Sequence, residues 1–255
     1  MLYHFFSLTL VAVLTFVSSV VALNLPTAVN LRVEGSTTTI FEGSITTRGH
    51  NVTTPSGGNH HCDGTNNNAN PSPGPTCTSA LDDASKTAHF PFDGYVKPFF
   101  FTHFTNCGGM ANPWCETFYS TFDTQFDDFF ITSIGGVSQT STEFWGILVN
   151  FQFTPVGGCQ EAVKLHDEIL FAFDAFDAEH FLKLTGPAGA HVNVPVLLTV
   201  TDGQTSGPVA GAAVNGDISD ASGHVLVTFT HAGVQSVKAT KSGSIRSNKI
   251  TIVVV

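Results

Sequence analysis

Charged side chains are scarce in this sequence. Asp, Glu, Lys and Arg make up 12% of its 255 residues, against the roughly 25% that is usual in globular proteins. The ten Lys and Arg residues form no cluster, and the net charge is −10. The chain therefore lacks a basic surface for nucleic acid, and anionic membrane surfaces would repel it. We expect neither as a partner.

Recognisable catalytic motifs are also lacking. The chain contains no Gly-x-Ser-x-Gly turn, no phosphate-binding glycine loop, no nucleotide fingerprint and no His-Glu-x-x-His helix. Serine triads assemble in space, so their parts in a sequence carry no evidence either way. We therefore expect a non-enzymatic protein that uses no cofactor.

Long apolar runs are lacking apart from one at the N-terminus. Residues 1–22 contain no Asp, Glu, Lys or Arg, and the stretch 5–22 is almost wholly apolar. Val20 and Ala22 are small residues at the spacing that signal peptidase recognises, so residues 1–22 are predicted to be a signal peptide cleaved after Ala22. The alternative is an N-terminal membrane anchor. We favour secretion, into the extracellular space or a cell wall.

Cysteines are few, but they fit an oxidising compartment. The five residues Cys62, Cys77, Cys107, Cys115 and Cys159 allow two disulfides and one free thiol in 15 combinations. Cys107 and Cys115 close a short loop and are the favoured pair. Cys62 with Cys159 comes next, which leaves Cys77 free or exchanging with Cys62. Asn51-Val52-Thr53 is a sequon, so a glycan on Asn51 is expected in a eukaryotic secretory route.

The distribution of phenylalanine predicts two domains. Of 23 phenylalanines, 18 lie between Phe90 and Phe181, and only Phe229 follows the Gly-Pro-Ala-Gly-Ala stretch at 186–190. Two separately packed cores are therefore expected, over residues 23–186 and 187–255. Proteases are expected to cut first in the 186–190 linker or within 55–75, and residues 190–255 are expected to fold alone.

The C-terminal segment is predicted to be an all-β sandwich. Turn signals such as Asn215-Gly216 separate short β-branched runs. The runs are Val194–Thr201, Val209–Val214, His224–Thr230, Val234–Thr240 and Lys249–Val255. The stretch 202–216 resembles the immunoglobulin-like modules of bacterial and fungal surface proteins, although the Cys…Trp…Cys signature of antibody-type domains is absent. The resemblance implies an immunoglobulin-like β-sandwich over 187–255.

The N-terminal segment mixes strands with one helix. Val29–Val33 and Thr38–Thr46 are predicted to form a hairpin, and the Gly/Asn/Pro-rich stretch 55–75 a long loop. Ser79 is the predicted N-cap of a helix that runs to about Ala88. Further strands are expected at Tyr95–Phe104, Phe129–Ser133, Phe144–Gln152 and Glu168–Phe173.

Three stretches of this segment carry a family resemblance: FWGILVN at 144–150, PVGGC at 155–159 and LHDEILFAF at 165–173. They resemble the small β domain that ends the transcobalamins and intrinsic factor, which has an aromatic-Trp strand, a short hairpin, a glycine and an acidic turn before its final strand. The strand at 32–35 and the helix at 79–84 fall where that domain has its own.

This resemblance covers about residues 26–186, with a Phe-rich insertion at 90–119. It implies an α+β transcobalamin C-terminal-like domain in a mainly β protein. It also implies a face for a flat ligand, because in transcobalamins the domain covers one side of cobalamin. The large helical domain that holds the other side has no counterpart here, so cobalamin is not expected.

One cluster contains metal-ligand atoms, from His50, His60, His61, Cys62 and Asp63. Adjacent histidines cannot easily face one ion, and Cys62 is expected in a disulfide. We therefore predict a solvated loop and no metal site.

A second cluster contains acid–base groups, from Asp174, Asp177, Glu179 and His180. Paired carboxylates with a histidine could exchange protons if their pKa values differed. Phenylalanines separate these residues, so we interpret them as the polar side of a loop. We interpret Asp123, Asp127 and Asp128 in the same way, as solvated acids between packed phenylalanines.

The strand at 144–149 carries the one binding face that the sequence suggests. Trp145, Ile147 and Val149 share one side of it, and Phe144, Gly146 and Leu148 share the other. The hypothesis is that the Trp145 side faces solvent or a groove and binds an apolar or planar ligand or a glycan. The alternative is that Trp145 packs in the core over the helix at 79–88.

We therefore predict a secreted, non-enzymatic binding or surface-interaction protein. One alternative is a secreted enzyme, such as a hydrolase that uses the Asp174–His180 cluster. Another is a structural protein of a wall or matrix. The surplus of phenylalanine fits either a Phe-rich core or an exposed apolar patch for a ligand or partner.

Overall fold

The computed structural model describes residues 24–95 and 126–255. The predicted signal peptide, the Cys107–Cys115 pair, Asp123 and all but the first residue of the predicted strand at 95–104 lie outside this part. Within it the fold is mainly β, as the sequence predicted. No helix of the described residues is long and apolar enough to cross a membrane.

The described residues form 20 strands, one α-helix (α1) and two short 3-10 turns (η1, η2). In chain order they are β1 Thr27–Glu34, β2 Thr39–Thr47, β3 His50–Thr54, β4 Gly58–Cys62, η1 Asn66–Asn68, α1 Cys77–Ala88, β5 Phe92–Tyr95, β6 Phe130–Ile134, β7 Val137–Ser138, β8 Trp145–Val149, β9 Gln152–Phe153, β10 Glu168–Phe173, η2 Ala175–Asp177, β11 His180–Thr185, β12 Gly189–Ala190, β13 Val196–Asp202, β14 Ala213–Val214, β15 Asp217–Ile218, β16 His224–Val227, β17 Gly233–Val237, β18 Ala239–Thr240, β19 Ser244–Ile245 and β20 Ile250–Val254.

A five-stranded sheet lies at the centre of the molecule, in the order β2-β1-β10-β8-β9. β1 pairs with β10 in parallel, and the other neighbours are antiparallel. All residues of β10 after Glu168 are buried, so this strand has no wet face. Both sides of the central sheet are therefore covered, which is why the sequence of β10 is almost continuously apolar.

The first face of the central sheet packs against α1 and two small hairpin sheets. Val29, Leu31 and Val33 of β1 join Leu81 of the helix in one core. The helix begins one turn earlier than the predicted cap at Ser79. Thr76 is its N-cap, and Thr76 and Ser79 exchange side-chain and backbone hydrogen bonds as a capping box.

The stretch 55–75 was expected to be a long loop, but it includes regular structure. β4 within it pairs with β3 to form a hairpin. Cys62, at the end of β4, forms a disulfide with Cys159, 97 residues further along the chain. This is the second pairing expected from the sequence, and Cys77 is a buried free thiol. Burial raises the pKa of Cys77 well above its usual value, so the thiol is unreactive.

Residues 180–255, called the C-terminal module below, form three small sheets, of which the largest has the order β16-β13-β11-β19. Buried side chains of β11, β13 and β16 share one core with those of β14, β18 and β20. The sequence placed the boundary after residue 186, and this is corrected to the segment between Phe173 and His180. β11 belongs to the C-terminal module because it pairs with β13 and β19.

The expected linker at 186–190 is likewise part of this module. β12 lies within it and pairs with β20. A methyl group at Gly186 would overlap the side chain of Leu198, so this glycine packs against the module core. Strand pairing and packing therefore replace the flexible segment that the Gly-Pro-Ala-Gly composition had indicated.

The second face of the central sheet packs against the C-terminal module. A small apolar cluster joins Leu148, Leu170 and Ala172 of the sheet to Phe181 of β11. Beside it, charged residues of β1 and β2 meet the stretch 238–249 of the module. The interface therefore has an apolar part and an ionic part.

Candidate functional site

The structure places the predicted binding face of β8 inside the first core. Trp145 is 6% exposed and belongs to the core that α1 also joins, and partly buried Ile147 and Val149 pack against the same core. The Trp145 indole N–H donates to the carbonyl of Val137 at 3.2 Å, and its ring meets Phe173 edge to face. The binding-face hypothesis is therefore corrected: Trp145 lies in the first core, as the alternative stated, and its hydrogen bond and ring contact are made with β7 and β10.

A groove opens instead where the second face of the central sheet meets the C-terminal module. Its volume is about 320 Å³, which is at the lower end of the range for ligand pockets. We call it the inter-module groove. Residues that line it include Asn30, Arg32, Ser44, Phe151, Glu168 and Lys249.

Phe151 forms one wall of the groove in a strained conformation. Asn150 and Phe151 link β8 to β9 as a two-residue turn, with φ of 50° and 65°. Such turns favour glycine at the second position, and a bulky side chain with positive φ is uncommon. The ring is 6% exposed and lies over Gly203, where a methyl group would overlap it. Packing against the C-terminal module therefore holds Phe151 in place.

Two cations also contact the Phe151 ring. The Arg32 guanidinium lies 5.7 Å from the ring centroid, and the Lys183 ammonium lies 5.5 Å from it. Because Arg32 belongs to β1 and Lys183 to β11, the ring joins the central sheet to the C-terminal module through cation–π contacts.

Arg32 is the buried polar residue of the groove. It is 7% exposed, and one N–H donates to the carbonyl of Arg246 at 2.6 Å. Burial lowers its pKa below the usual value, while Glu34, Glu42 and Glu168 favour the charged form. A guanidinium has five N–H donors, and no other hydrogen bond of this side chain is formed with the described residues. The remaining donors are available to a ligand or to water.

An ion network beside Arg32 fixes the relative position of sheet and module. Glu34 is 1% exposed and accepts from Lys238 Nζ at 2.5 Å and from Arg246 Nε at 2.8 Å. Lys238 also contacts Glu42 at 2.8 Å, and the backbone N–H of Lys249 donates to the same carboxylate at 2.6 Å. Two acids of the sheet thus bind two cations of the module.

The floor of the groove is polar and mixed in sign. Asn30 and Ser44 lie opposite each other on β1 and β2, and Glu168 lies opposite Asn30 on β10. The side chains of these three residues form no hydrogen bond with the described part of the chain. With Arg32 they offer donors and acceptors close together, next to the apolar surface of Phe151 and Leu170.

The predicted acid–base cluster is divided by the fold. Asp174 and Asp177 line a second cavity of about 230 Å³, near the ends of β1 and β10. His180 instead begins β11, and its Nδ1 lies 3.1 Å from Asp202 Oδ2 in the C-terminal module. Burial, together with Glu143 and Asp177, raises the pKa of Asp174. The backbone N–H of Glu179 donates to the carbonyl of Gly243, which lines the same cavity, so it is His180 that the fold separates from the two aspartates.

The histidine-rich cluster is divided too. His60 lies against Phe129 and its ring is hydrogen-bonded to Gly57, whereas His61 pairs with Asp127 at 3.3 Å. The two adjacent histidines of β4 therefore have different neighbours, and Cys62 is in the disulfide. His50, on β3, meets Asp82 of α1 at 2.7 Å. No local pattern indicates this contact, because His50 and Asp82 are more than 30 positions apart in the chain.

The aspartates at 127 and 128 have different roles. Asp127 pairs with His61, as the interpretation as a solvated acid allows. Asp128 is buried, so that interpretation is wrong for it. Its carboxylate accepts from the backbone N–H groups of Phe129, Cys159 and Gln160 at 2.7 to 3.0 Å. Burial raises its pKa to about 7. It ties the start of β6 to the disulfide-bonded turn.

Comparison with known proteins gives one partial match. Residues 116–175 match a family described as a domain of unknown function (DUF4430), which covers less than a quarter of the chain. The match ends just after β10 and includes Phe151. No curated protein is significantly similar to the chain.

Proposed function

We propose that this protein is a secreted, non-enzymatic binding protein whose ligand occupies the inter-module groove. The observation that carries the proposal is Arg32, a buried guanidinium that lines a 320 Å³ groove and has one N–H hydrogen-bonded to the described residues. Buried charged groups normally have their hydrogen bonds completed. A ligand that enters the groove would complete those of Arg32.

The chemistry of the groove favours a hydroxyl-rich ligand, such as one or two sugar units of a glycan. Hydroxyl groups donate and accept at once, so they suit a floor where Arg32 donates, Glu168 accepts, and Asn30 and Ser44 do both. A strongly anionic ligand would meet Glu42 and Glu168, and a purely apolar one would leave Arg32 unpaired.

The strain at Phe151 supports the same site. A non-glycine residue with positive φ costs about 1–3 kcal/mol and is concentrated at functional sites. Here it places an aromatic ring at the groove wall, between two cations.

We further propose that the chain combines the two domain types that its sequence resembles. The partial match over 116–175 and the parallel β1–β10 pair agree with a transcobalamin C-terminal-like domain, and the layered residues 180–255 with an immunoglobulin-like module. A flat ligand on the open sheet is not part of the proposal, because α1 and the C-terminal module cover the two faces. The disulfide supports an extracellular location.

Calorimetry with cellobiose, maltose, mannobiose and chitobiose at millimolar concentration tests the proposal. The variants are Arg32→Met, which keeps the apolar stem, and Lys183→Met, a matched control that contacts Phe151 but does not line the groove. Removing a charged hydrogen-bond donor costs about 1.5–3 kcal/mol. We therefore expect affinity for the bound disaccharide to fall at least about tenfold in Arg32→Met and to stay unchanged in Lys183→Met.

Thermal unfolding of each variant verifies that it is folded. Equal affinity in wild type and Arg32→Met would place the ligand elsewhere. Absence of binding to any of the four disaccharides would contradict the glycan assignment and favour the structural wall or matrix protein. Hydrolysis of a disaccharide during the titration would favour the enzyme alternative.

A further inference from the structure

Three metal-ligand side chains converge between β3 and α1, on the opposite side of the central sheet from the inter-module groove. His50 Nε2 lies 2.7 Å from Asp82 Oδ2 and 3.9 Å from Asp83 Oδ1. All three atoms lie within 4.8 Å of one another. Over residues 24–95 and 126–255, no other three His, Cys, Asp or Glu side chains meet in this way.

The His50 ring is oriented from behind. Its Nδ1 is hydrogen-bonded to the carbonyl of Arg48 at 2.8 Å, so this nitrogen carries the proton and Nε2 faces the carboxylates. Histidines that bind metals usually donate their other ring N–H to a carbonyl or carboxylate, which fixes the ring for the metal. Because the Asp82 carboxylate lies 2.7 Å from Nε2, this nitrogen also carries a proton in the metal-free protein.

The elements that present the three side chains are fixed to each other. The hydroxyl of Thr47 donates to that of Ser79 at 3.0 Å, which joins the end of β2 to the first turn of α1. Asp82 is 3% exposed, whereas the side chains of His50 and Asp83 are 22% and 30% exposed. The site is thus rigid on its protein side and open to water on the other.

Lys86 would compete with a metal ion for the Asp82 carboxylate. Its ammonium contacts Asp82 Oδ2 at 2.5 Å from one turn further along α1. Its side chain is 64% exposed, so the ammonium can leave for solvent at little cost when another cation neutralises Asp82.

We propose that His50 Nε2, Asp82 and Asp83 bind a divalent transition metal ion of the zinc class, with water completing the coordination. An imidazole with two carboxylates suits Zn²⁺ better than Ca²⁺ or Mg²⁺, which take oxygen ligands. On binding, the ion replaces the proton on His50 Nε2, which passes to the buffer, and Lys86 moves away from Asp82. The proposal does not depend on the inter-module groove.

Titration of the EDTA-treated, dialysed full chain with ZnCl₂ by calorimetry tests it. We expect one ion per chain. Affinity is expected to fall at least about tenfold in His50→Gln and in Asp83→Asn. It is expected to rise in Lys86→Met, because the competing ammonium is gone.

His61→Gln is the matched control, because His61 pairs with a single aspartate, Asp127 in the segment before β6, and its side chain is 45% exposed. It should bind Zn²⁺ as the wild type does. Asp83→Asn keeps the test valid if His50→Gln fails to fold, since the Asp83 side chain forms no hydrogen bond within the described residues. Binding that is absent at millimolar ZnCl₂, or that is equal in wild type, His50→Gln and Asp83→Asn, would overturn the proposal.

Discussion

The two faces of the central sheet are covered by surfaces of different chemistry. On β1, Val29, Leu31 and Val33 point into the apolar core beneath α1. Arg32 and Glu34 alternate with them and meet Arg246 and Lys238 of the C-terminal module. One strand thus supplies an apolar face and an ionic face, because successive side chains point to opposite sides.

The two faces of β1 show that a strand with alternating apolar and polar residues need not have a solvated side. Alternation of apolar and polar residues usually indicates one buried and one solvated face. Here the polar side of β1 is buried as well, because a second module covers it. Such a polar interface adds little net stability but leaves unpaired charges when one partner is removed, so it favours a single docking geometry.

The largest effect is expected when a C-terminal fragment is shortened so that it loses β11. A fragment of residues 190–255 lacks β11, which lies between β13 and β19 and buries Leu182 and Leu184. It is expected not to unfold cooperatively, whereas a fragment of residues 178–255 is expected to do so. Urea unfolding followed by circular dichroism measures both. Cooperative unfolding of the shorter fragment would restore the boundary at 186.

The next effect concerns the apolar face. Trp145→Ala is expected to lower the free energy of unfolding by about 3–5 kcal/mol, because it leaves a cavity in the first core. Urea unfolding measures the loss. Leu165→Ala, at a residue that is 61% exposed, should change the value by less than about 0.5 kcal/mol. A loss below about 1 kcal/mol in Trp145→Ala would show that this face is not packed as described.

The ionic face can be broken with Glu34→Gln. The variant leaves Lys238 and Arg246 without their shared carboxylate, and breaking a buried ion pair in this way costs about 3–5 kcal/mol. We expect the lower end, about 3 kcal/mol, because Lys238 keeps Glu42. Glu168→Gln, at an exposed carboxylate of the same sheet face, is the control for urea unfolding. Equal stability of the two variants would mean that the network is solvated.

The smallest expected effect is a pH-dependent change in stability that arises from Asp202 of the C-terminal module. Burial raises the pKa of Asp202, but hydrogen bonds from Thr205, Gln204 and His180 outweigh it, so the pKa is below its usual value. A lowered pKa in the folded state means that this carboxylate stabilises the protein above about pH 4, and that the contribution disappears as the pH falls through the folded-state pKa.

Asp202→Asn is therefore expected to lose about 1–2 kcal/mol at pH 7 and progressively less towards pH 3. The readout is urea unfolding at several pH values, with exposed Asp217→Asn as the control. Asp202 begins the turn that places Gly203 under Phe151. The lost stability therefore comes from the interface between the central sheet and the C-terminal module. A difference between wild type and Asp202→Asn that does not change with pH would contradict the ionic role of this carboxylate.

The sequence contains the residues of the candidate site, but it does not indicate that they lie together. Phe151 falls inside the strand predicted at 144–152, because nothing local indicates that a phenylalanine will adopt positive φ. Only Asn150, which tolerates that conformation, was a turn signal. For Arg32 the sequence predicts only a place in a family-like strand, since its burial depends on a module that begins about 150 residues later.

Local pattern in the sequence was sufficient for the hairpin β1–β2, the helix α1, the strand β10 and most C-terminal strands. Their periodicity, capping residues and turn glycines act within a few positions. The tertiary structure alone decided that Trp145 points into the first core, that β11 joins the C-terminal module, and that His50 meets Asp82. These outcomes depend on which elements pack together, such as the parallel pairing of β1 with β10 across more than 130 residues, and that choice is made by long-range packing and not by any local stretch of chain.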